Sequence, residues 1–308
     1  MKILIWVMIV CGIFLFIGLL IGTFITLGII KPKRRSLLET SMLEEEKFPG
    51  IMDFYKHNLT ERYRLKSRYG YDLAIYFMKN LTDTNKYLVM SHGHTYTHHG
   101  CLKYAGMMMA HGYNIVLYDQ RYHGDSGGPY TSLGYYEKDD LYDIITDTID
   151  RFGKDIEVGT YGESMGAATV LLEAEIDDRV KYVFADCGFT NLDVLVGEII
   201  QRNLRFPLNK LQFLSRFVFQ MIVETKMSRI SPKDALIRLH VPVFFAHGLN
   251  DTFISSKHTV EMADSYAGDK QVFLAGNNAG HAGSYLADTN GYETAINEFI
   301  KKYVSKKS

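Results

Sequence analysis

The chain opens on an unbroken apolar run, unlike anything that follows. Residues 3–30 contain no charged side chain. As a helix this run would extend about 42 Å, more than the roughly 30 Å of a bilayer's hydrocarbon core. A cleaved signal peptide is the alternative, but it has an apolar core of only about 7–15 residues and a small-residue cleavage site, and no Ala-x-Ala is found here. We therefore predict an uncleaved, single-pass transmembrane anchor at residues 1–35.

Charge beside this run bears on its orientation. Lys31, Lys33, Arg34 and Arg35 follow it, whereas Lys2 and the amino terminus precede it. The positive-inside rule then favours the cytoplasmic face for everything downstream. Residues 36–60 are charged and are predicted to form a linker or short helix.

From residue 61 onward, short apolar runs alternate with longer amphipathic ones. Two alternating runs open an antiparallel hairpin, and strands then alternate with helices, which is typical of a mostly parallel sheet flanked by helices. Strands are predicted at 62–67, 73–78, 87–91, 113–118, 156–161, 180–186, 241–246 and 270–274. Helices are predicted near 100–111, 137–152, 165–176, 256–267 and 290–304. We predict an eight-stranded α/β domain over residues 61–305.

One segment interrupts this alternation. Residues 190–236 are rich in Phe, Leu and Ile at helical spacing and lie between two predicted strands. They are predicted to form a helical cap. Its apolar residues either line a hydrophobic substrate pocket or serve only to pack the cap.

The candidate chemistry centres on Ser164, in the sequence Gly162-Glu163-Ser164-Met165-Gly166. A predicted strand precedes this Gly-x-Ser-x-Gly motif and a predicted helix follows it. A serine on such a tight turn is exposed for nucleophilic attack, and Gly162 and Gly166 are required because the turn leaves no room for side chains.

A serine nucleophile needs a base and an acid. Asp251 follows the strand predicted at 241–246, and His281 lies in a Gly/Asn-rich loop after the next strand. The order Ser164, Asp251, His281 fits a nucleophile, orienting acid and base. Asp186, at the end of another predicted strand, is the rival acid and is predicted to be structural.

Two backbone amides are expected to stabilise the oxyanion. One is that of Met165, directly after the nucleophile. The other belongs to the loop after the strand at 87–91, with His94 favoured and Thr95 as the alternative.

These motifs resemble the α/β-hydrolase superfamily, in particular its serine-aminopeptidase and monoacylglycerol-lipase-like branch. The matching segments are Ser91–His94, Tyr118–Ser126, Gly162–Gly166, His247–Asp251 and Gly280-His281. The resemblance implies that the block at 119–126 is structural and not catalytic. Tyr122 stands where the family usually has glycine.

Composition narrows the remaining possibilities. The net charge is −1 and no basic stripe is present, so no nucleic-acid partner is expected. The histidines at 92, 94, 98 and 99 could suggest zinc, but a metal site would leave the serine motif unexplained. No cofactor is predicted.

We therefore predict a serine hydrolase that acts on a small carboxylic ester or acyl substrate, lipophilic or lipid-like, and contacts the bilayer through residues 3–30. A peptidase of the same fold and a non-catalytic binding protein on this scaffold are the alternatives. Oligomeric state is left open.

Overall fold

The computed structural model describes residues 1–203, 212–276 and 278–305. It divides into two compact units, one of residues 1–32 with 191–230 and one of residues 33–190 with 231–308. The first contains the predicted anchor and much of the predicted cap. The stretch 204–211 of that cap lies outside the described residues.

The second unit is built on one sheet of eight strands. They are β1 (Leu59–Lys66), β2 (Asp72–Met78), β3 (Lys86–Ser91), β4 (Asn114–Tyr118), β5 (Glu157–Glu163), β6 (Val180–Asp186), β7 (Val243–Gly248) and β8 (Lys270–Ala275). Their spatial order is β1-β2-β4-β3-β5-β6-β7-β8; the pairs β1–β2 and β2–β4 are antiparallel and the other five pairs are parallel, so β2 runs opposite to the other seven strands. The predicted mostly parallel α/β sheet is confirmed.

Helices cover both faces of the sheet. In this unit they are α2 (Leu37–Lys47), α3 (Ile51–Asn58), α4 (Leu102–Ala110), α5 (Glu137–Phe152), α6 (Met165–Ala174), α9 (Pro232–Ala235), α10 (Lys257–Ser265), α11 (Ser284–Ala287) and α12 (Thr289–Phe299). Because side chains alternate along a strand, the sheet has a hydrophobic core on each face. On one face, Leu73, Ile75 and Phe77 of β2 pack with α5 and α6. On the other face, Ala74, Tyr76 and Met78 of β2 pack with α4 and α12.

The segment predicted as a linker or short helix, residues 36–60, contains the two helices α2 and α3 and leads into β1. Ser36 and Glu39 form a reciprocal capping box that starts α2, with the Ser36 amide donating to Glu39 at 2.7 Å. Ile51 and Tyr55, one turn apart on α3, are buried against the sheet domain. Local capping and this i, i+4 pair stabilise helices in a segment of polar composition.

Two helix boundaries also differ from prediction. A 3₁₀ turn at His98–Cys101 precedes α4, and the predicted closing helix at 290–304 is α12 followed by a π-turn at Ile300–Val304. Asp288 caps α12 by accepting the Gly291 amide at 2.9 Å.

The first unit contains α1 (Lys2–Ile30), α7 (Leu192–Asn203) and α8 (Gln212–Val223). In α1, the buried residues are Gly18, Gly22, Thr26 and Ile30, and most of the large apolar side chains are exposed. Its 29 residues are long and apolar enough to cross a bilayer.

Candidate active site

The sharp turn between β5 and α6 presents Ser164. Its backbone is in a rare conformation for a residue with a side chain, with φ at 57° and ψ at −115°. Such strain costs on the order of 1–3 kcal/mol and persists only where surrounding structure enforces it. The Ser164 amide donates to the Asp186 carbonyl at 2.8 Å, which fixes the turn to the end of β6.

The two glycines of the motif are fixed by backbone crowding. A Cβ at Gly162 would overlap the Gly166 carbonyl, as the sequence argument anticipated. A Cβ at Gly166 would overlap the Ser91 carbonyl at the end of β3, a long-range neighbour that the sequence did not indicate. Both positions therefore admit only glycine without moving backbone.

The structure brings Ser164, Asp251 and His281 into one hydrogen-bonded line. His281, in the loop between β8 and α11, has Nε2 2.9 Å from Ser164 Oγ and Nδ1 2.7 Å from Asp251 Oδ2. Because an ionised carboxylate only accepts, Nδ1 carries the hydrogen and Nε2 is free to accept from Ser164. This is the tautomer that a general base needs.

Asp251 is surrounded by four donors. Its Oδ1 accepts the amides of Phe253 and Ile254 at 2.8 and 2.9 Å, and its Oδ2 accepts from His281 and from His247 Nε2 at 3.0 Å. Burial opposes ionisation, but the hydrogen bonds from His247 and His281 outweigh it and hold the pKa of Asp251 below its usual range. Asp251 is therefore a carboxylate at neutral pH.

His247 is a supporting residue to which the sequence assigned no role. It is fully buried at the end of β7, and its Nε2 faces two acceptors, Asp251 Oδ2 and the Ile254 carbonyl at 2.9 Å. Nε2 must therefore carry the hydrogen, while Nδ1 accepts from the Thr259 hydroxyl at 2.7 Å. Its position four residues before Asp251, within a segment that matches the resembling family, was the available signal.

The predicted oxyanion residues lie beside the serine. Met165 is the first residue of α6, and His94 lines the same cavity as Ser164. Gly93 is close enough that a Cβ there would lie 3.5 Å from Ser164 Cβ. The Thr95 amide, the alternative second donor, donates to His123 Nε2 at 3.0 Å.

Histidines that could have suggested zinc have protein partners. Asp119 accepts from both the amide and Nδ1 of His98, at 2.8 and 2.9 Å, and His92 Nε2 accepts the Gln120 amide at 2.9 Å. Burial lowers the pKa of His92 to about 4, so it is neutral. Within the described part of the chain, no group of three or more His, Cys, Asp or Glu is placed to hold a metal ion.

The block at 119–126 contacts the loop after β3: His123 accepts the Thr95 amide and Asp119 accepts the His98 amide. Tyr122, where the resembling family usually has glycine, has φ at 65°, in the left-handed region. The tyrosine keeps the conformation that glycine adopts freely, at a cost of about 1–2 kcal/mol, and the Arg34 guanidinium lies 4.8 Å from its ring centre.

A buried polar network underlies the site. Lys103 of α4 lies 2.5 Å from Glu163, the residue before the nucleophile, and donates to the Ala282 carbonyl, next to His281, at 3.3 Å. Tyr104 donates to Glu163 at 2.8 Å and to Asp186 at 3.2 Å. Asp186, the rival acid, thus belongs to this network, and burial raises its pKa.

The cavity beside Ser164 has a volume of about 350 Å³ and a charged wall. Its lining residues are Arg35, Glu44, Lys47, Gly93, His94, Thr95, Tyr96, Lys103, Glu163, Ser164, Phe253, His281 and Ala282. Glu44 is 1% exposed, and its Oε2 has no hydrogen-bond partner among the described residues. The sequence missed Arg35, Glu44 and Lys47 because they lie in the segment predicted as anchor flank and linker.

Comparison with known families now adds to this geometry. The model of the X-Pro dipeptidyl-peptidase family, S15, matches residues 43–198, just over half of the chain. The chain belongs to the S15 family. It is thus a hydrolase of the α/β fold, and the predicted superfamily is confirmed. The matched segment includes Ser164, whereas Asp251 and His281 lie beyond it.

One relative in sequence and two solved structures are similar to most of this S15-family hydrolase. The uncharacterized Bacillus subtilis protein YqkD is 28% identical over 296 residues, covering 94% of this chain and 96% of YqkD. The Pyrococcus furiosus esterase Pf2001 superposes with a TM-score of 0.64 at 20% identity, covering 79% of this chain and 92% of the esterase. Est1E from Butyrivibrio proteoclasticus, solved with ferulic acid, has a TM-score of 0.61 at 15% identity, covering 79% of this chain and 99% of Est1E.

Proposed function

We propose that this S15-family hydrolase is a membrane-anchored serine hydrolase that cleaves carboxylic esters through an acyl-enzyme. The observation that carries the proposal is the line from Ser164 Oγ through His281 to Asp251, with distances of 2.9 and 2.7 Å. A serine hydroxyl is activated at neutral pH when it donates to a histidine nitrogen that carries no hydrogen and the other ring nitrogen of that histidine donates to a carboxylate. Ser164, His281 and Asp251 have this arrangement.

In the proposed mechanism His281 Nε2 takes the Ser164 proton as Oγ bonds to the substrate carbonyl carbon. The carbonyl oxygen becomes an oxyanion, stabilised by the amides of Met165 and His94. The tetrahedral intermediate collapses, and His281 gives its proton to the departing alkoxide, which leaves as an alcohol. Water, deprotonated by His281, then attacks the acyl-enzyme carbonyl; as this second intermediate collapses, His281 returns the proton to Ser164 Oγ and the acid is released.

The substrate is proposed to be an amphiphilic ester. The apolar sequence of the cap and the anchor favour a lipophilic acyl group, while the charged wall beside Ser164, with Arg35, Lys47 and Lys103, suits a polar alcohol. The name "esterase" of Pf2001 and the ferulic acid bound to Est1E agree with ester chemistry.

We propose that α1 is the anchor. Its apolar side chains are exposed along most of its length, which is unfavourable in water and favourable in hydrocarbon. Lys31, Lys33, Arg34 and Arg35 at its end support a cytoplasmic position for the hydrolase unit.

The test is labelling of the full chain, in lipid nanodiscs, by a fluorophosphonate probe. Wild type should label, and Ser164→Ala should not, with ester turnover reduced on the order of 10⁶-fold. Ser228→Ala, at an exposed serine, is the matched control and should label normally. Absence of labelling in a folded wild type would contradict the serine mechanism. A series of p-nitrophenyl esters and monoacylglycerols then separates acyl length from alcohol polarity.

Glu44 favours a second candidate, a peptidase that recognises a free amine. Glu44 lines the cavity of Ser164, and its Oε1 accepts from Tyr96 at 2.6 Å and lies 3.4 Å from Lys47 Nζ. Its buried Oε2, without a partner among the described residues, is the acceptor that this candidate function assigns to a substrate ammonium group. The family description, X-Pro dipeptidyl-peptidase, points the same way. Dipeptidyl p-nitroanilides with free and acetylated amino termini test this idea, using Glu44→Gln and the exposed Glu46→Gln as control. A preference for the free amine that Glu44→Gln alone removes would favour the peptidase.

A further inference from the structure

The second half of α1 is packed against α8 by small residues. A Cβ at Gly18 would overlap the Leu214 side chain, and one at Gly22 would lie 2.9 Å from the Leu214 carbonyl carbon. One turn further, the Thr26 hydroxyl donates to the Ser215 carbonyl at 3.1 Å, and this bond is buried. The two backbones therefore approach closely, in the manner of helices packed within membranes.

Helix length decides the depth at which this packing occurs. A span needs about 20 residues, and at least about 17, from the uncharged run at 3–30. Every stretch of that length within the run includes Gly18. Residues 2–17 alone would reach only about 24 Å, short of the roughly 30 Å hydrocarbon core. If α1 spans a bilayer, Leu214 beside Gly18 therefore lies at hydrocarbon depth.

The outer face of α8 is suited to that environment. Phe213, Phe217 and Met221, at i, i+4 and i+8, are 55%, 56% and 68% exposed. The one charged residue of α8 is Arg216, and its Nε lies 2.6 Å from Asp193 Oδ1 on α7. Three large apolar side chains on one helical stripe, beside a membrane-spanning helix and with the charge paired, are costly in water and stabilising in lipid.

We propose that α8 is seated in the hydrocarbon of the bilayer, where Phe213, Phe217 and Met221 contact acyl chains and the small-residue contact with α1 holds the helix in place. The inference rests on the anchor proposed above. It makes the membrane a partner of the cap segment as well as of the amino-terminal helix.

The experiment places an environment-sensitive nitrobenzoxadiazole label on single cysteines of the full chain in phosphatidylcholine vesicles. Cys11 is first replaced by serine, while Cys101 and Cys187 are buried. Labels at Phe217→Cys and, as a lipid reference on α1, at Phe14→Cys should be quenched by nitroxide-bearing lipids more than by iodide. A label at Leu81→Cys, which is 99% exposed, should show the reverse.

The packing contact is tested by Gly22→Leu, which would force its side chain against the α8 backbone. The label at position 217 should then lose most of its lipid quenching. Gly12→Leu, where nothing lies within 4 Å, is the matched control and should leave that quenching unchanged. A position-217 label quenched by iodide while the position-14 label is quenched by lipid would overturn the proposal and leave the anchor intact. Iodide quenching at both positions would overturn the anchor as well.

Discussion

Replacing Asp251 by asparagine isolates the orienting role assigned to its carboxylate. The variant is nearly isosteric, but an asparagine has only one acceptor oxygen. All four groups around Asp251 are donors: His247 Nε2, His281 Nδ1, and the amides of Phe253 and Ile254. Whichever way the amide is turned, its NH₂ group faces two N–H donors.

The magnitude follows from this donor arrangement. With the NH₂ toward His281, the imidazole is driven to carry its hydrogen on Nε2 and can no longer accept the Ser164 proton. With the NH₂ toward the two backbone amides, those donors are left unsatisfied, at about 1–3 kcal/mol. Loss of the productive tautomer in a triad lowers kcat about 10⁴-fold, which corresponds to about 5 kcal/mol of barrier.

The assay is kcat for a p-nitrophenyl ester together with the rate of fluorophosphonate labelling, and thermal unfolding checks that the variant is folded. Asp186→Asn, at the rival carboxylate, is the matched control, and its kcat should stay within about tenfold of that of wild type. The hydrogen bonds of the Asp186 carboxyl group among the described residues are with Tyr104, Ser284 and Tyr292, not with His281. An Asp251→Asn enzyme within tenfold of wild type, or an Asp186→Asn enzyme that is the more impaired of the two, would refute the assignment.

The sharp turn between β5 and α6 that presents Ser164, the elbow, and the buried Asp140 each give a further prediction. Gly166→Ala should abolish labelling because its Cβ would overlap the Ser91 carbonyl, whereas Gly280→Ala, with open space around it, should keep activity within about threefold. Burial raises the pKa of Asp140 to about 7. The folded state therefore keeps a proton on Asp140 that the unfolded state loses near pH 4. As a result, the stability that this group contributes falls as pH rises toward 7. Between pH 5.5 and 7 the free energy of unfolding of wild type should fall by about 2 kcal/mol relative to that of Asp140→Asn. The Tm of wild type minus the Tm of Asp140→Asn should therefore decrease by roughly 4–8 °C over this range. A Tm difference that does not depend on pH would contradict the raised pKa.

Local signals explain why so much of the site was predictable. The elbow is encoded by adjacent residues, with small residues beside Ser164 and a strand and a helix on either side. Asp251 and His281 follow apolar strands, and the carboxyl ends of parallel strands meet at one edge of a sheet. Ordinary periodicity therefore brings three distant residues together.

Features that depend on long-range contacts were not predictable in the same way. Arg35, Glu44 and Lys47 line the cavity through the packing of α2, and no local pattern marks a charged helix as part of a cavity wall. The role of His247 needs the positions of Asp251 and Thr259 together. Composition left a linker and a short helix both open for residues 36–60, and the capping box of α2 and two buried side chains of α3 account for the helices found there.

Lys103 shows how such a distant residue can act on the triad. It is 5% exposed, and its ammonium joins Glu163, beside the nucleophile, to the Ala282 carbonyl, beside the base. Burial alone would lower the pKa of Lys103, but the charges of Glu163 and Glu44 outweigh it and raise that pKa, so the lysine stays charged. We expect Lys103→Met to destabilise the fold by about 3–5 kcal/mol, because Glu163 is left as an uncompensated buried charge.

The double variant Lys103→Met/Glu163→Gln separates charge balance from positioning. It should recover most of the lost Tm, since Glu163 no longer leaves a buried charge without its partner. It should not recover the full labelling rate, because the Ala282 carbonyl has lost its donor and the His281 loop is held less firmly. Lys154→Met, at an exposed lysine, should change neither quantity. A double variant that regains both wild-type labelling and wild-type Tm would show that the lysine only neutralises Glu163. The relative position of Ser164 and His281 would then be set by the backbone of the elbow and of the loop that carries His281.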